Sequence, residues 1–230
     1  MSVRFGGITW EWSYPLVGCM TAVLLLDRSC AVVICFLAAV MHESGHLAAM
    51  YHYHAMPQRI RLTLFDIAIV DRKKHLRGGK AELVIVLAGV VVNFVSALAG
   101  WILFRLTGAA EWQMFFSAHL TLGLFNAMPV DALDGGQAVM LLLNGRFAPE
   151  TAERVVTVLS VIVLIPALCT GFLILFETKY NFTLLLASLY LSACLLLKRP
   201  VYRHRPLLRQ EKAAHQRHIT KASGHFQERK

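Results

Sequence analysis

Residues 83–104 read LVIVLAGVVVNFVSALAGWILF and contain no charged side chain. An α-helix needs about 20 mostly apolar residues to cross the roughly 30 Å hydrocarbon core of a bilayer, so this stretch is long enough to span a membrane. The rest of the chain has the same character, since 57% of its 230 residues are hydrophobic, 16% are charged and its mean hydropathy is +0.55. A soluble domain carries about 25% charged residues. The composition therefore argues against a soluble globular enzyme.

Five further apolar runs approach or exceed the same length. We therefore predict an all-α polytopic membrane protein with about six transmembrane helices. The first run is short and lies beside aromatic residues that suit a membrane interface, and the fourth is broken by Pro129 and by Gly135-Gly136. The six predicted spans are Trp12–Leu26, Cys30–Met50, Leu83–Phe104, Met114–Leu143, Val155–Phe176 and Tyr180–Leu197.

Lysine and arginine are concentrated on one predicted side of the membrane. With a cytoplasmic N-terminus and six spans, the cytoplasmic segments hold 20 of the 23 basic residues, as the positive-inside rule requires. We predict a multi-pass protein of the cell (inner) membrane with both termini cytoplasmic. Residues 1–200 would form the transmembrane domain and 201–230 a basic cytoplasmic tail. Topology and contact of the basic loops with anionic lipid explain the net charge of +9, so no nucleic-acid partner is expected.

Ionisable residues interrupt the second predicted span as His42-Glu43-Ser44-Gly45-His46. Residues four apart share one face of a helix, so the two imidazoles can bind one metal ion. Glu43 can then serve as general base for an attacking water. Such residues are costly inside a membrane and indicate a functional site. Alternatively, the histidines only hydrogen-bond to neighbouring helices, and Glu43 pairs with Arg59 or Arg61.

A catalytic zinc usually takes three protein ligands and a water, so a third ligand must come from elsewhere in the chain. The cysteines form no CxxC pair, which argues against a thiolate site. The histidines of the predicted cytoplasmic loop are better explained as solvated side chains. A further histidine is expected at the wrong end of its span. The residues set aside in this way are His52, His54, His75 and His119.

The broken fourth span supplies a better candidate in Asp134. The second and fourth spans both run toward the cytoplasm, so His46 and Asp134 fall at similar depth near the cytoplasmic side. Non-helical backbone at this depth is tolerated where it is buried in protein or lines a wet cavity. We predict that Asp134 is the third ligand, and that Asp131 is a solvated loop residue.

Together these residues resemble the paired motifs of the site-2 proteases, zinc metalloproteases that cut within or beside the membrane. The resemblance implies one Zn²⁺ per chain, two histidines and an aspartate as its ligands, a glutamate as acid/base, and an Asn-Pro segment that places the substrate strand. A third family motif, G-P-x-x-N, is matched only in part because Val90 replaces the proline. The corresponding residues are His42, His46 and Asp134 for the metal, Glu43 for catalysis, Asn126 and Pro129 for the substrate, and Gly89, Asn93 and Gly135 for structural support.

Within the family, six spans and a basic C-terminal stretch resemble the branch that includes the sporulation protease cleaving a pro-sigma factor. Only 33 residues follow the last predicted span, which is too few for a CBS domain. The resemblance implies an intramembrane protease for a membrane-associated regulatory protein, such as a pro-sigma factor, with a membrane inhibitor or gating partner. The alternatives are a catalytically inactive membrane scaffold and a metal-binding transporter.

The segment between the second and third spans has the pattern of strands rather than of a helix. Polar and apolar residues alternate over 59–64, and 65–70 are β-prone, which predicts a short interfacial β-hairpin. We hypothesise that its edge, with Leu62 and Leu64, pairs with an extended substrate segment. The alternative is a simple connecting hairpin.

Overall fold

A computed structural model of the chain describes residues 2–5, 8–26, 30–57, 59–62, 67–70 and 78–197. The chain divides into two units, Met1–Leu195 and Leu196–Lys230, and the second is described only at Leu196 and Leu197. The predicted tail, 201–230, lies outside the described residues. The predicted domain boundary at residue 200 therefore stays a prediction.

The described residues form seven helices and four short strands, and helices dominate. The strands are β1 Ser2–Phe5, β2 Ile8–Trp12, β3 Arg59–Leu62 and β4 Ile67–Val70. The helices are α1 Tyr14–Leu26, α2 Ala31–His52, α3 Gly79–Thr107, α4 Ala110–Ala127, α5 Asp134–Asn144, α6 Pro149–Thr178 and α7 Thr183–Leu197.

Three helices, α2, α3 and α6, are long and apolar enough to cross a membrane. Of the other predicted spans, α1 has 13 residues and α7 has 15, both short of the about 20 that a span needs. The predicted helical segments are present in order, but the count of six transmembrane helices is not confirmed. It stays a prediction.

The distribution of side chains is that of a membrane protein. Large apolar side chains face outward along the long helices, with Val95, Ile162 and Leu173 exposed by 63%, 59% and 64%. Polar side chains, among them Asn93 and Ser160, are fully buried. A soluble protein would leave such helical faces in water at a large hydrophobic cost. In a bilayer the same faces meet lipid.

Small residues bring α3 and α4 together. Ser96 is buried, and a Cβ atom on Gly100 would lie 2.8 Å from Phe115 of α4. One on Gly123 of α4 would lie 3.2 Å from the Cβ atom of Asn93. Ser96 and Gly100 form a small-xxx-small pair of the kind that allows close helix packing, and this packing sets the distance between polar groups on the two helices.

The predicted break in the fourth span is confirmed. Helix α4 ends at Ala127, and α5 begins at Asp134 after a turn. The backbone N–H of Asp131 donates to Ser160 Oγ of α6 at 2.9 Å, which provides the hydrogen-bond partner that non-helical backbone needs at membrane depth. Apolar contacts to α6 and α7 complete this packing and involve Val130, Leu133, Leu164 and Leu191.

The predicted hairpin is present as the antiparallel pair β3 and β4, with Arg59 opposite Val70 and Leu62 opposite Ile67. The expectation of an otherwise all-α chain is wrong in one respect. Strands β1 and β2 form a second hairpin, and the described strands form one sheet in the order β1-β2-β3-β4.

Strand β2 runs parallel to β3, although α1 and α2 lie between them in sequence. Because β2 leads into α1 and β3 follows α2, the start of α1 and the end of α2 lie at the same end of the molecule. These two helices therefore run in opposite directions, and parallel strands need a long connection of this kind.

Candidate metal centre

Three side chains from two distant parts of the chain meet at one point. The Nε2 atoms of His42 and His46 lie 3.2 Å apart, and each lies 3.1–3.2 Å from Oδ2 of Asp134. The histidines come from α2 and the aspartate from the first turn of α5. Both histidines are buried, and the Asp134 side chain is 15% exposed. The three residues that helical spacing and span direction predicted to be neighbours, His42, His46 and Asp134, therefore lie together in the fold.

The protonation of His46 is fixed by its backbone partner. Its Nδ1 atom lies 2.8 Å from the carbonyl oxygen of Ile85, and since a carbonyl only accepts, Nδ1 carries the hydrogen. In the neutral ring, Nε2 then presents a lone pair toward His42 and Asp134. Metal-ligating histidines are oriented by this kind of second hydrogen bond.

The group fits a tetrahedral cation. Ligand bonds of about 2.0–2.1 Å around a tetrahedral Zn²⁺ separate neighbouring ligand atoms by about 3.3–3.4 Å, close to the observed spacing. Asp134 Oδ2 is buried and has no hydrogen-bond partner among the described residues. A buried carboxylate oxygen facing a nitrogen lone pair is costly unless a cation lies between them. The two imidazoles and the carboxylate are donors that zinc accepts.

Glycines allow α2 and α3 to approach at the level of the histidines. A Cβ atom on Gly45 would lie 2.8 Å from the carbonyl oxygen of Ala88. One on Gly89 would contact His46 Nε2 and lie 2.7 Å from Cε1 of His42. Both imidazoles therefore lie directly on the backbone of α3. Because Gly89 has no side chain, it leaves space beside α3 for the two imidazoles, and any side chain at position 89 would fill that space.

Two further glycines place Asp134. A Cβ atom on Gly135 would contact the carbonyl oxygens of Ala127 and Met128, and one on Gly136 would contact that of Val130. The first turn of α5 therefore packs directly on the preceding turn. This contact brings the Asn126–Pro129 segment next to the Asp134 carboxylate.

Glu43 lies on the same turn of α2 as His42. It is half-buried. The alternative that Arg59 neutralises it is not what the fold shows, because Arg59 pairs with Glu11 of β2 at 3.1 Å. The side chain of Arg61 lies outside the described residues.

The remaining predicted residues lie at varied distances from this centre. Asn126 is half-buried, and its Nδ2 donates to the carbonyl of Leu122 in its own helix. Leu62 lies on β3, which is paired on both sides by β2 and β4, so the strand edge hypothesised there belongs to β4 instead. Leu64 lies outside the described residues. Substrate contact by Asn126, Pro129, Leu62 or Leu64 stays a prediction.

Sequence reasoning named Asn93 as structural support but missed its contact with His42 and the part that His119 plays. Asn93 Nδ2 donates to His42 Nδ1 at 2.9 Å, and His119 Nδ1 donates to Asn93 Oδ1 at 3.0 Å. His119 was expected at the wrong end of its span. It lies instead against Asn93, which in turn contacts His42 of the cluster. The signal that could have found it is a lone histidine inside an apolar helix. Of the loop histidines, His52 and His54 are exposed and outside the cluster, and His75 lies outside the described residues.

A helical fold that places two histidines of one helix against an aspartate from a broken helix is similar to the fold of a solved site-2 protease. The fold matches that of the site-2 protease from Methanocaldococcus jannaschii with a TM-score of 0.62. That match has 20% sequence identity and covers 88% of this chain and 97% of the archaeal one. The predicted resemblance is confirmed at the level of the fold.

Sequence comparisons give the same result. Residues 105–167, which include the Asn126–Asp134 motif, match peptidase family M50. The stage IV sporulation protein FB of Bacillus subtilis (strain 168) is 24% identical over 144 residues, which is 61% of this chain and 50% of that protein. The match thus spans half of that relative's length. The chain therefore has the fold of a site-2 protease and a segment that matches peptidase family M50.

Proposed function

We propose that this protein is an intramembrane zinc metalloendopeptidase, with one Zn²⁺ bound by His42, His46 and Asp134. The single observation that carries the proposal is the buried carboxylate oxygen of Asp134, without a hydrogen bond among the described residues, at tetrahedral spacing from two imidazole nitrogens. The membership of residues 105–167 in a peptidase family supports hydrolysis as the activity.

The side chains divide the chemistry between them. A bound zinc ion would polarise the scissile carbonyl and make water nucleophilic near neutral pH. Glu43 accepts a proton from the attacking water and returns it to the leaving amine. His46 is held for ligation by Ile85, and the ring of His42 is held in place by Asn93. Asn126 and Pro129 place the substrate strand beside Asp134.

The substrate class follows from the surroundings of the site. The apolar outer faces of α2, α3 and α6 support a location of the centre within a bilayer, and the proposed substrate is a membrane-associated protein whose segment unwinds before hydrolysis. Both termini and the active site lie toward the cytoplasm, and the basic loops contact anionic lipid. A pro-sigma factor and a sporulation context are proposed by similarity to the Bacillus subtilis relative, and an inhibitory or gating membrane partner would control access.

The test combines metal content with cleavage of a membrane reporter. Protein purified in detergent should contain about one zinc per chain. Reconstituted in vesicles, it should cleave a reporter with one apolar span interrupted by Asn-Pro between two epitope tags. The metal chelator 1,10-phenanthroline should abolish cleavage, and added ZnCl₂ should restore it.

Two outcomes would contradict the proposal. A folded protein without zinc would favour the inactive scaffold. A protein with zinc that leaves the reporter intact but moves zinc across the vesicle membrane would favour the metal-binding transporter. The same reporter without its apolar span is the control for unspecific proteolysis, and it should stay intact.

Gly89→Ala should lower the zinc content strongly while the helix itself remains. The added methyl group would overlap His46 Nε2 and the edge of the His42 ring, so both imidazoles must move. Alanine is favoured over glycine in a helix by about 1 kcal/mol, so the loss should not reflect unfolding. Zinc content and thermal midpoint, measured on the same sample, separate the two effects.

Gly79→Ala is the matched control for this variant. Gly79 is the first residue of the same helix, and a Cβ atom there would meet no other atom within 4 Å. It should keep the wild-type zinc content. If Gly89→Ala also kept full zinc content, the placement of the imidazoles against α3 would be wrong.

A further inference from the structure

A chain of polar side chains crosses three helices beside the metal centre. It runs from His42 on α2 through Asn93 on α3 to His119 on α4, with contacts of 2.9 and 3.0 Å. Asn93 and His119 are both fully buried, at 0% exposure. Nothing in the proposed chemistry uses His119. A fully buried histidine in an apolar helix is costly, so its contact with Asn93 needs an explanation.

The contact matters because of what His42 must present to a cation. A neutral histidine that ligates through Nε2 carries its hydrogen on Nδ1 and needs an acceptor there. In the described arrangement the Asn93 amide donates to His42 Nδ1, so the His42 hydrogen is on Nε2, which lies 3.1 Å from Asp134 Oδ2 and 3.2 Å from His46 Nε2. Ligation requires the amide to present its oxygen to His42 instead.

His119 determines whether the side-chain amide of Asn93 can rotate in this way. A 180° rotation of the Asn93 amide directs Nδ2 at His119 Nδ1, which must then be an acceptor. The hydrogen of His119 therefore moves from Nδ1 to Nε2 as that of His42 moves from Nε2 to Nδ1. Each imidazole keeps one hydrogen throughout, and both arrangements keep both hydrogen bonds of the chain.

The surroundings of His119 suit this exchange. Its Nε2 atom is buried and has no hydrogen-bond partner within the described part of the chain, so no contact on that side fixes the position of the hydrogen. Its ring packs on Phe115, with 4.3 Å between centroids. The close approach of Gly123 to Asn93 holds α4 against α3. The ring is thus held in place while its tautomer follows the amide.

We propose that His119 is a positioning residue, which acts through Asn93 to set the tautomer of His42 and so the affinity of the site for zinc. The inference rests on the proposed function, since it names a residue that supports the same metal site. It assigns His119 no contact with substrate or metal.

The test measures zinc affinity by competition with a chromogenic chelator, and the visible spectrum of the cobalt(II)-loaded protein. His119→Leu removes the partner of Asn93 at similar volume and should weaken zinc binding about 10–100-fold, as loss of an outer hydrogen-bond partner typically does, and change the cobalt spectrum. His119→Asn places an amide near the former Nδ1 position and should regain most of the affinity. Thr121→Val, an exposed position on the same helix, is the control and should match wild type.

A second measurement applies even if His119→Leu does not fold. In wild-type protein labelled with ¹⁵N-histidine, the His119 signals should change from the Nδ1–H to the Nε2–H pattern when zinc is added, with His119→Asn giving the assignment. An unchanged His119 tautomer, or wild-type affinity and spectrum in a folded His119→Leu, would overturn the inference alone. Wild-type protein that binds no zinc would overturn the proposed function and the inference together.

Discussion

Glu43→Gln should reduce reporter cleavage by about 10²–10⁴-fold, the usual contribution of a general acid–base group, and leave about one zinc per chain in place. The amide has nearly the shape of the carboxylate but does not accept a proton from water. Since His42, His46 and Asp134 meet without Glu43, the metal site should persist. Turnover of the reporter and metal content by mass spectrometry, measured on one preparation, check both halves of the prediction.

Glu111→Gln is the matched control, because it makes the same chemical change at an exposed position in the first turn of α4. It should cleave at the wild-type rate. Full activity in Glu43→Gln would refute the role of Glu43 as general base. Loss of zinc together with activity would show instead that Glu43 supports the metal site.

Asp134→Ala should remove zinc almost completely. The two imidazoles of α2 would remain, but a catalytic zinc site with two protein ligands falls short of the usual three. The zinc affinity should fall by more than the roughly 100-fold that loss of a ligand's hydrogen-bond partner can cost. Cleavage should disappear with the metal. Equilibrium dialysis against buffered zinc measures the change directly.

Asp131→Ala is the control for this second prediction. Asp131 lies three residues earlier in the same turn, is half-exposed and does not belong to the donor cluster. Its backbone N–H, which donates to Ser160, is kept in the alanine variant. Asp131→Ala should retain zinc. If Asp134→Ala retained it as well, the third ligand would be another residue.

The geometry of the donor cluster was accessible from sequence because its determinants are local or topological. The spacing of His42 and His46 fixes their common helix face. Asp134 could be added because the second and fourth predicted spans run in the same direction across a membrane. Asp134 and His46 are then expected at similar depth. Neither step required knowing which faces of different helices pack against each other. The same reasoning could not predict the contact between Asn93 and His119, since it depends on how far α3 and α4 approach each other laterally.

The sheet shows a different limit of sequence reasoning. The hairpin of β3 and β4 was predicted because alternation and turn residues are close in sequence. The first hairpin also has a local signal, in Gly6-Gly7 between two β-prone stretches, which the apolar run beginning at Trp12 obscured. Its parallel pairing onto β3 is non-local, across two helices. This pairing turns β3 from an edge into an interior strand.

The contact of Gly135 and Gly136 with the preceding turn has a thermodynamic consequence. Because the backbone of α5 touches that of Ala127, Met128 and Val130, a ligand that displaces this turn also displaces the Asp134 carboxylate. Under the proposed function, occupancy of the Asn126–Pro129 segment by peptide and occupancy of the site by zinc are then linked equilibria. Whatever factor a bound peptide applies to the zinc dissociation constant, zinc applies to the dissociation constant of that peptide.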